Sequence, residues 1–120
     1  MQGKRADRIG ALIQEEISRL ILHSVKDPRV GFVTVTRVKV SDDLRQAKIY
    51  ISPAQAGAAE GREALMGLKS AAGFLRGELG RRLSLRYAPT LMFLLDDSLE
   101  EGLHLAALFR KLETDKTTEQ

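Results

Sequence analysis

Residues 32–52 read FVTVTRVKV, SDDLRQ and AKIYIS, two stretches rich in β-branched residues on either side of a polar turn. Alternation of side chains over such short runs predicts half-buried strands. On the first strand we expect the inward set to be Phe32, Thr34, Thr36, Val38 and Val40. The outward set would then be Val33, Val35, Arg37 and Lys39. The Ser-Asp-Asp turn at 41–43 joins the strands, so an antiparallel hairpin is predicted.

Helical periodicity precedes the hairpin. Apolar residues recur with i, i+3 and i+4 spacing, which predicts an amphipathic helix. The stripe consists of Ile9, Leu12, Ile13, Ile17, Leu20 and Ile21. The helix should end before Pro28, because proline disfavours helical angles in the residue before it, and Gly31 adds a turn ahead of the strand.

Two further helices are predicted after a connection of small residues at 53–61. Leucines recur with helical spacing around 60–72 and again around 74–83, and the tract SAAG at 70–73 separates the two stretches. We therefore expect a kink between two helices. The tract GELG at 77–80 matches Gly-x-x-Gly literally, but its acid and its core-type leucine indicate a helix interior.

The last part of the chain predicts one more strand and one more helix. Residues 91–95 form a continuous apolar run, LMFLL, which suits a strand buried on both faces. A capping box, SLEE at 98–101, predicts the start of a helix. That helix would pass through Leu105, Leu108, Phe109 and Leu112. Residues 114–120 have no apolar anchor and are predicted to be disordered.

Together these elements predict one α+β domain at 1–113 with a disordered tail at 114–120. The expected order is helix, strand, strand, helix, kink, helix, strand, helix. The three strands would form one sheet with the helices on one face, which leaves the other face comparatively bare.

Composition narrows the class of protein. The chain has no cysteine, which excludes disulfides, a thiolate nucleophile and cysteine-ligated metals. It has no apolar run of membrane length and no secretion signal, so we expect a cytoplasmic protein without a membrane partner. The net charge is +3, yet residues 62–86 hold six basic against two acidic side chains, and residues 87–120 hold three against seven. Such a chain can present one basic face to a polyanion.

Several short motifs follow one another in a fixed order. They are KDPR at 26–29, VSDDL at 40–44, AKIYIS at 47–52, AAGFLR at 71–76 and SLEEG at 98–102. With these motifs the chain resembles the bacterial ribosome-binding factor A family over roughly residues 5–112, and its element order resembles a type II KH domain.

The resemblance implies a non-catalytic, monomeric RNA-binding protein. Its partners would be small-subunit ribosomal RNA near the decoding region, free 30S subunits and ribosomal proteins close to the site. Its role would be to assist late maturation of 16S ribosomal RNA, including 5′ end processing, with importance in the cold. The alternative is a protein–protein adaptor or structural module that uses the exposed sheet face or the last helix.

The resemblance also places a small-residue kink, Ala71-Ala72-Gly73, where other KH domains have a Gly-x-x-Gly loop. Small residues at a helix junction let backbone amides approach phosphate oxygens. The alternative is that these residues only permit close helix packing and a bend. Both interpretations stay open from the sequence.

Basic residues flank this junction and the first helix. The predicted phosphate contacts are Lys4, Arg5, Arg8, Lys69, Arg76, Arg81, Arg82 and Arg86. Guanidinium groups suit phosphate because their planar fork offers paired donors. The alternative for single arginines is an ion pair, since Glu78 has helical spacing to Arg81 and Arg82. Tyr50 and Tyr87 could stack on bases, although a core or rim role is favoured.

No arrangement in the sequence indicates an enzyme. A nucleophile elbow and phosphate-binding glycine patterns are absent, and the two histidines, His23 and His104, lack metal-ligand spacing. We therefore expect no catalytic residue, no metal and no cofactor.

Overall fold

Two long helices and a three-stranded sheet form most of the part of the chain that the structure describes. The computed structural model describes residues 3–54, 58–96 and 108–112. The elements are α1 (Lys4–Ser24), β1 (Val33–Val40), β2 (Gln46–Pro53), α2 (Ala58–Arg82) and β3 (Thr90–Leu95). Residues 108–112 are also helical. No helix among the described residues is both long and apolar enough to cross a membrane.

Helix α1 forms because its apolar stripe packs on the sheet. The buried members of α1 are Ala6, Gly10, Ile13, Ile17, Leu20 and Ile21. Leu12 stays 42% exposed, so it lies at the margin of the predicted stripe. The helix ends at Ser24 because Val25 adopts an extended conformation, and the Val25 N–H still donates to the Leu20 carbonyl.

The hairpin is antiparallel as predicted, but it contains a β-bulge at Thr36. Val35 pairs with Ile51 and Arg37 pairs with Tyr50, so one residue of β1 has no counterpart on β2. A bulge of this kind inserts an extra residue and interrupts the alternation of side chains.

The bulge overturns half of the predicted pattern on β1. The β1 residues that pack towards the core are Val33, Val35, Val38 and Val40. The prediction was therefore correct for the residues after the bulge and wrong for those before it. The residues wrongly expected to face inward are Phe32, Thr34 and Thr36, all exposed.

Strand β1 lies at one edge of the sheet, whose order is β1-β2-β3. The side-chain amide of Gln14, on α1, donates to the carbonyls of Val35 and Thr36 at 3.4 and 3.5 Å. Helix α1 therefore contacts β1 through polar atoms at the bulge as well as through its apolar stripe.

Strand β3 pairs with β2 in parallel and forms the opposite edge. Its burial alternates: Leu91 and Phe93 are buried, whereas Thr90 and Met92 are exposed. The prediction of a strand buried on both faces is wrong among the described residues, because the helices cover only one face of the sheet here. The open face includes Lys39, Lys48 and Met92, which are neighbours across the three strands.

The two predicted central helices are one continuous helix, α2, so the predicted separation into two helices at 70–73 is wrong. Two reasons account for the continuity. Alanine is the strongest helix former and occupies 71 and 72. The buried stripe also continues across the tract at Ala64, Leu68, Leu75 and Leu79. The tract GELG at 77–80 lies inside α2, which confirms that it is a helix interior.

The predicted capping box at 98–101 and most of the last helix lie outside the described residues, as does the tail at 114–120. The end of the domain at 113 therefore stays a prediction.

Candidate nucleic-acid interface

Three segments far apart in sequence meet at one end of the molecule. They are the first turn of α1, the turn between β1 and β2, and the connection between α2 and β3. Between them lies a cleft of about 730 Å³, which we call the basic groove. Its polar and aromatic lining includes Arg5, Asp43, Arg45, Arg76, Arg86 and Tyr87. Four arginines and one aspartate thus face a single groove, and this imbalance favours an anionic ligand.

A hydrogen bond fixes the start of α1 against the β1–β2 turn. The Gly3 N–H donates to the Asp42 carboxylate at 2.9 Å. This contact sets Arg5, two residues later, beside the turn that carries Arg45. Arg5 and Arg45 are 40 residues apart in sequence, and folding brings both to the same groove.

The β1–β2 turn holds its own shape through Asp43. The Asp43 carboxylate accepts hydrogen bonds from the Ser41 hydroxyl at 2.6 Å and from the Arg45 N–H at 3.0 Å. Chiefly because of the Ser41 bond, the pKa of Asp43 lies below its ordinary value. Leu44, between Asp43 and Arg45, has a φ of 61°, a left-handed conformation that tightens the turn. The Arg45 carbonyl accepts from the Thr90 N–H at 2.8 Å, which joins the turn to β3.

Arg76 positions the connection between α2 and β3. Its Nε and one terminal nitrogen donate to the Ala88 carbonyl at 3.1 and 3.0 Å. The connection is also held by the Leu85 N–H, which donates to the Gly80 carbonyl at 3.0 Å. Arg76 therefore shapes the groove as well as contributing charge to it.

Beside the basic groove, three glycines of α2 form a surface between Arg76 and Arg81, which we call the glycine face. A second hollow of about 540 Å³ lies there, and it shares Arg76, Arg86 and Tyr87 with the basic groove. Its floor includes Gly73, Gly77 and Gly80. A methyl group added at Gly73 or Gly77 would meet no atom within 4 Å.

Two of the predicted phosphate contacts have acidic partners. Arg81 forms an ion pair with Glu78. Arg82 lies 3.5 Å from Glu78 and 3.5 Å from Glu16 on α1. For these two residues the structure therefore shows the ion pairs that the helical spacing allowed, although exposed pairs of this kind contribute little to stability.

The other sequence-predicted residues fall into two groups. Arg5, Arg76 and Arg86 are brought together in the basic groove. The exposed cations outside its lining are Lys4, Arg8 and Lys69. Of the small residues, Ala71 and Ala72 are half-buried against the core, as close packing requires, whereas Gly73 is exposed on the glycine face. Their role in RNA binding stays a prediction.

Sequence reasoning missed Arg45. It lies two residues after an acidic pair in a turn, so it looked like an ordinary turn residue, and only the contacts of Asp42 and Thr90 bring it to the groove. The exposure of Tyr87, 78%, was also not predicted. Neither feature has a signature in the periodicity of the chain.

The opposite end of the molecule has a different character. A cavity of about 570 Å³ there has an apolar lining that includes Pro28, Val30, Phe32 and Pro53, with two acids at 60 and 63. Asp27 and Arg29 form an ion pair of 2.6 Å close by. This end therefore lacks the surplus of cations that marks the basic groove.

Comparison with known proteins assigns the chain to a family. A family model described as ribosome-binding factor A matches residues 5–109. The chain belongs to this family. It is 42% identical to ribosome-binding factor A of Desulfitobacterium hafniense, over the whole chain and 95% of that protein. It is 41% identical to the Halothermothrix orenii protein, over the whole chain and 98% of that protein.

Solved structures of the family confirm the α+β fold. The crystal structure of ribosome-binding factor A from Thermus thermophilus matches with a TM-score of 0.66 and 27% identity, covering 75% of this chain and 94% of the other. The solution structure of a Thermotoga maritima ribosome-binding factor A matches with a TM-score of 0.60 and 33% identity, covering 77% and 91%. Membership of this family of ribosome-binding proteins also confirms that the chain is not an enzyme.

Proposed function

We propose that the basic groove binds the ribosomal RNA backbone of the immature 30S subunit and that the protein thereby assists late maturation of 16S ribosomal RNA. The proposal includes support of 5′ end processing, carried out by separate nucleases, and importance in the cold. The observation that carries it is the convergence of Arg5, Arg45, Arg76 and Arg86 on one groove.

The chemistry of the groove matches a sugar–phosphate chain. Arginine donates paired hydrogen bonds to phosphate, and each contact releases counterions, which makes binding fall with salt. Among the described residues, Arg5 and Arg45 form no ion pair, so both are available to an anion. A relative supports the choice of partner: a homology model of Thermus thermophilus ribosome-binding factor A, with a TM-score of 0.61 and 27% identity to this chain, was fitted into a cryo-EM map of a complex of that factor with the 30S subunit.

Binding alone can drive the maturation step. A protein that binds one arrangement of the RNA more tightly than another shifts the population towards the first. Cold would increase the need for such a factor, because misfolded RNA helices open more slowly at low temperature. No bond is made or broken by the protein in this scheme.

Co-sedimentation with free 30S subunits tests the proposal. The double variant Arg45→Gln/Arg86→Gln should lower the affinity for the 30S subunit. Because it removes about two phosphate contacts, the slope of log affinity against log salt concentration should become shallower by roughly 1.5. The matched control is Lys26→Gln/Arg62→Gln, which removes the same charge from residues that do not line the groove.

Three results would overturn the proposal: no association of the wild-type protein with 30S subunits, equal losses for both double variants, or binding that does not depend on salt. The last result would favour the adaptor alternative, in which the sheet face or the last helix contacts a protein.

A further inference from the structure

Tyr87 occupies an unusual place for a large aromatic side chain. It is 78% exposed, and it lines both the basic groove and the hollow over the glycine face. Arg86 lies over its ring at 5.6 Å from the centroid. An aromatic ring between two cation-lined hollows offers a π-face beside phosphate-binding groups.

The ring is carried by a segment that is fixed on both sides. Before it, Leu85 is tied to Gly80 by a backbone hydrogen bond. After it, Ala88 accepts two hydrogen bonds from Arg76 and lies against Gly80, while Pro89 is buried. Because the segment is already held in place, little further backbone ordering is needed when a ligand contacts the ring.

At Gly73 and Gly77 the neighbouring face of α2 has no side chain to block a flat ligand. Gly73 and Gly77 face open space, whereas any larger residue there would project into the hollow beside Tyr87. A nucleotide whose base lies on the ring would have its sugar beside these glycines and its phosphates beside Arg76 and Arg86, which line the same hollow. Paired bases are stacked within a duplex and would not offer this face.

The second tyrosine provides an internal contrast. Tyr50 lies on the open face of the sheet, half-buried, with Arg37 only 3.9 Å from its ring centroid. It lines neither the basic groove nor the hollow over the glycine face. The two tyrosines thus share an arginine neighbour and differ in exposure and in access to the groove.

We propose that Tyr87 stacks on an unpaired nucleobase, so that the basic groove takes a single-stranded segment of RNA in preference to a duplex. This inference rests on the proposed function for the choice of RNA. Beyond the proposed function, it states that the bound RNA is single-stranded and that Tyr87 selects it.

Tyrosine fluorescence can isolate the proposed contact, because the chain has two tyrosines and no tryptophan. In a Tyr50→Phe protein the emission comes from Tyr87 alone. A single-stranded oligoadenylate should quench this emission on binding, because adenine stacks on an aromatic face. A length of about eight nucleotides lies within the range that small single-strand-binding domains cover. A blunt-ended RNA duplex at equal phosphate concentration should quench it much less, because all of its bases are paired.

Affinity measurements with the same oligoadenylate complete the test. Tyr87→Leu keeps an apolar side chain but removes the π-face, and it should weaken binding about tenfold with an unchanged salt slope. Tyr87→Phe should bind like the wild type, and so should the control Tyr50→Phe. Circular dichroism of each variant checks that the fold is retained.

The inference is overturned if Tyr87→Leu binds the oligoadenylate as tightly as the wild type, or if the blunt-ended duplex quenches Tyr87 as strongly as the single strand. Such a result, with normal association of the wild type with 30S subunits, leaves the proposed function intact. Failure of the wild type to associate with 30S subunits would instead count against the proposed function, whatever the oligoadenylate shows.

Discussion

In the first half of α2 the glycines at 61 and 67 lie against neighbouring elements, whereas in the second half those at 73 and 77 face open space. A methyl group at Gly61 would come within 2.9 Å of Leu95 on β3, and one at Gly67 within 2.6 Å of Val30. The missing side chain therefore serves packing in one half of the helix. In the other half it keeps a surface clear beside the basic groove.

This contrast shows that glycine can serve two unrelated purposes within one helix. Glycine lowers helix stability by about 1 kcal/mol relative to alanine. In the first half this cost is offset by close contact with the core, where Val30 is buried. At Gly73 and Gly77 no contact within the described residues offsets it, which suits a surface kept free for a ligand.

Gly67→Ala should produce the largest effect. The added methyl would overlap the buried side chain of Val30, and overpacking commonly costs about 1–3 kcal/mol, only partly offset by the better helix propensity of alanine. We expect the free energy of unfolding, measured in urea, to fall by about 1–2 kcal/mol. A variant as stable as the wild type would show that the two halves of α2 do not differ in packing.

Gly77→Ala should change stability in the opposite direction. Its methyl meets nothing within 4 Å, so only the helix propensity changes, and unfolding in urea should cost up to about 1 kcal/mol more. At the same time the methyl narrows the hollow on the glycine face, so co-sedimentation with 30S subunits should weaken. Higher stability with unchanged binding would mean that the RNA does not approach this part of α2.

Asp27→Asn should give the smallest effect, and its signature is a change in how stability depends on pH. Hydrogen bonds from Arg29, from its side chain first, lower the pKa of Asp27 from 3.8 to about 2. A carboxyl whose pKa is lower in the folded state stabilises the fold above its ordinary pKa, and this contribution is lost as the pH falls from about 4 to about 2.

The variant should therefore show a shallower loss of thermal stability over that acid range than the wild type. Arg29→Gln removes the same pair and should flatten the curve in the same way. If the stability of both variants follows the same pH curve as the wild type, the ion pair between Asp27 and Arg29 does not stabilise the fold.

The elements of the fold could be predicted because periodicity reports which side chains are buried. The stripe of α1 and the alternation of β2 both appear in the structure. The bulge at Thr36 could not be predicted, because it depends on pairing with β2 and not on the composition of β1. The alternation of β3 also escaped prediction, since a continuous apolar run does not reveal which of its residues lie on the uncovered face of the sheet.

The candidate site was predictable in charge but not in detail. The excess of cations at 62–86 indicated which part of the chain would meet an anion, and Arg76 and Arg86 do line the groove. The ion pair of Arg82 with Glu16 joins residues 66 positions apart, so no local pattern could predict it. Arg45 escaped for the same reason, because the turn reaches the groove only through tertiary contacts.

The bulge in β1 has a consequence for how copies of this protein behave in a crowded solution. An unprotected outer strand is a template on which another chain can add its own strand, and this is a common route to aggregation. Here the bulge at Thr36 would put an added strand out of register with β1. In addition, the carbonyls of Val35 and Thr36 already accept hydrogen bonds from Gln14. The irregularity therefore protects the protein against self-association along this border of the sheet.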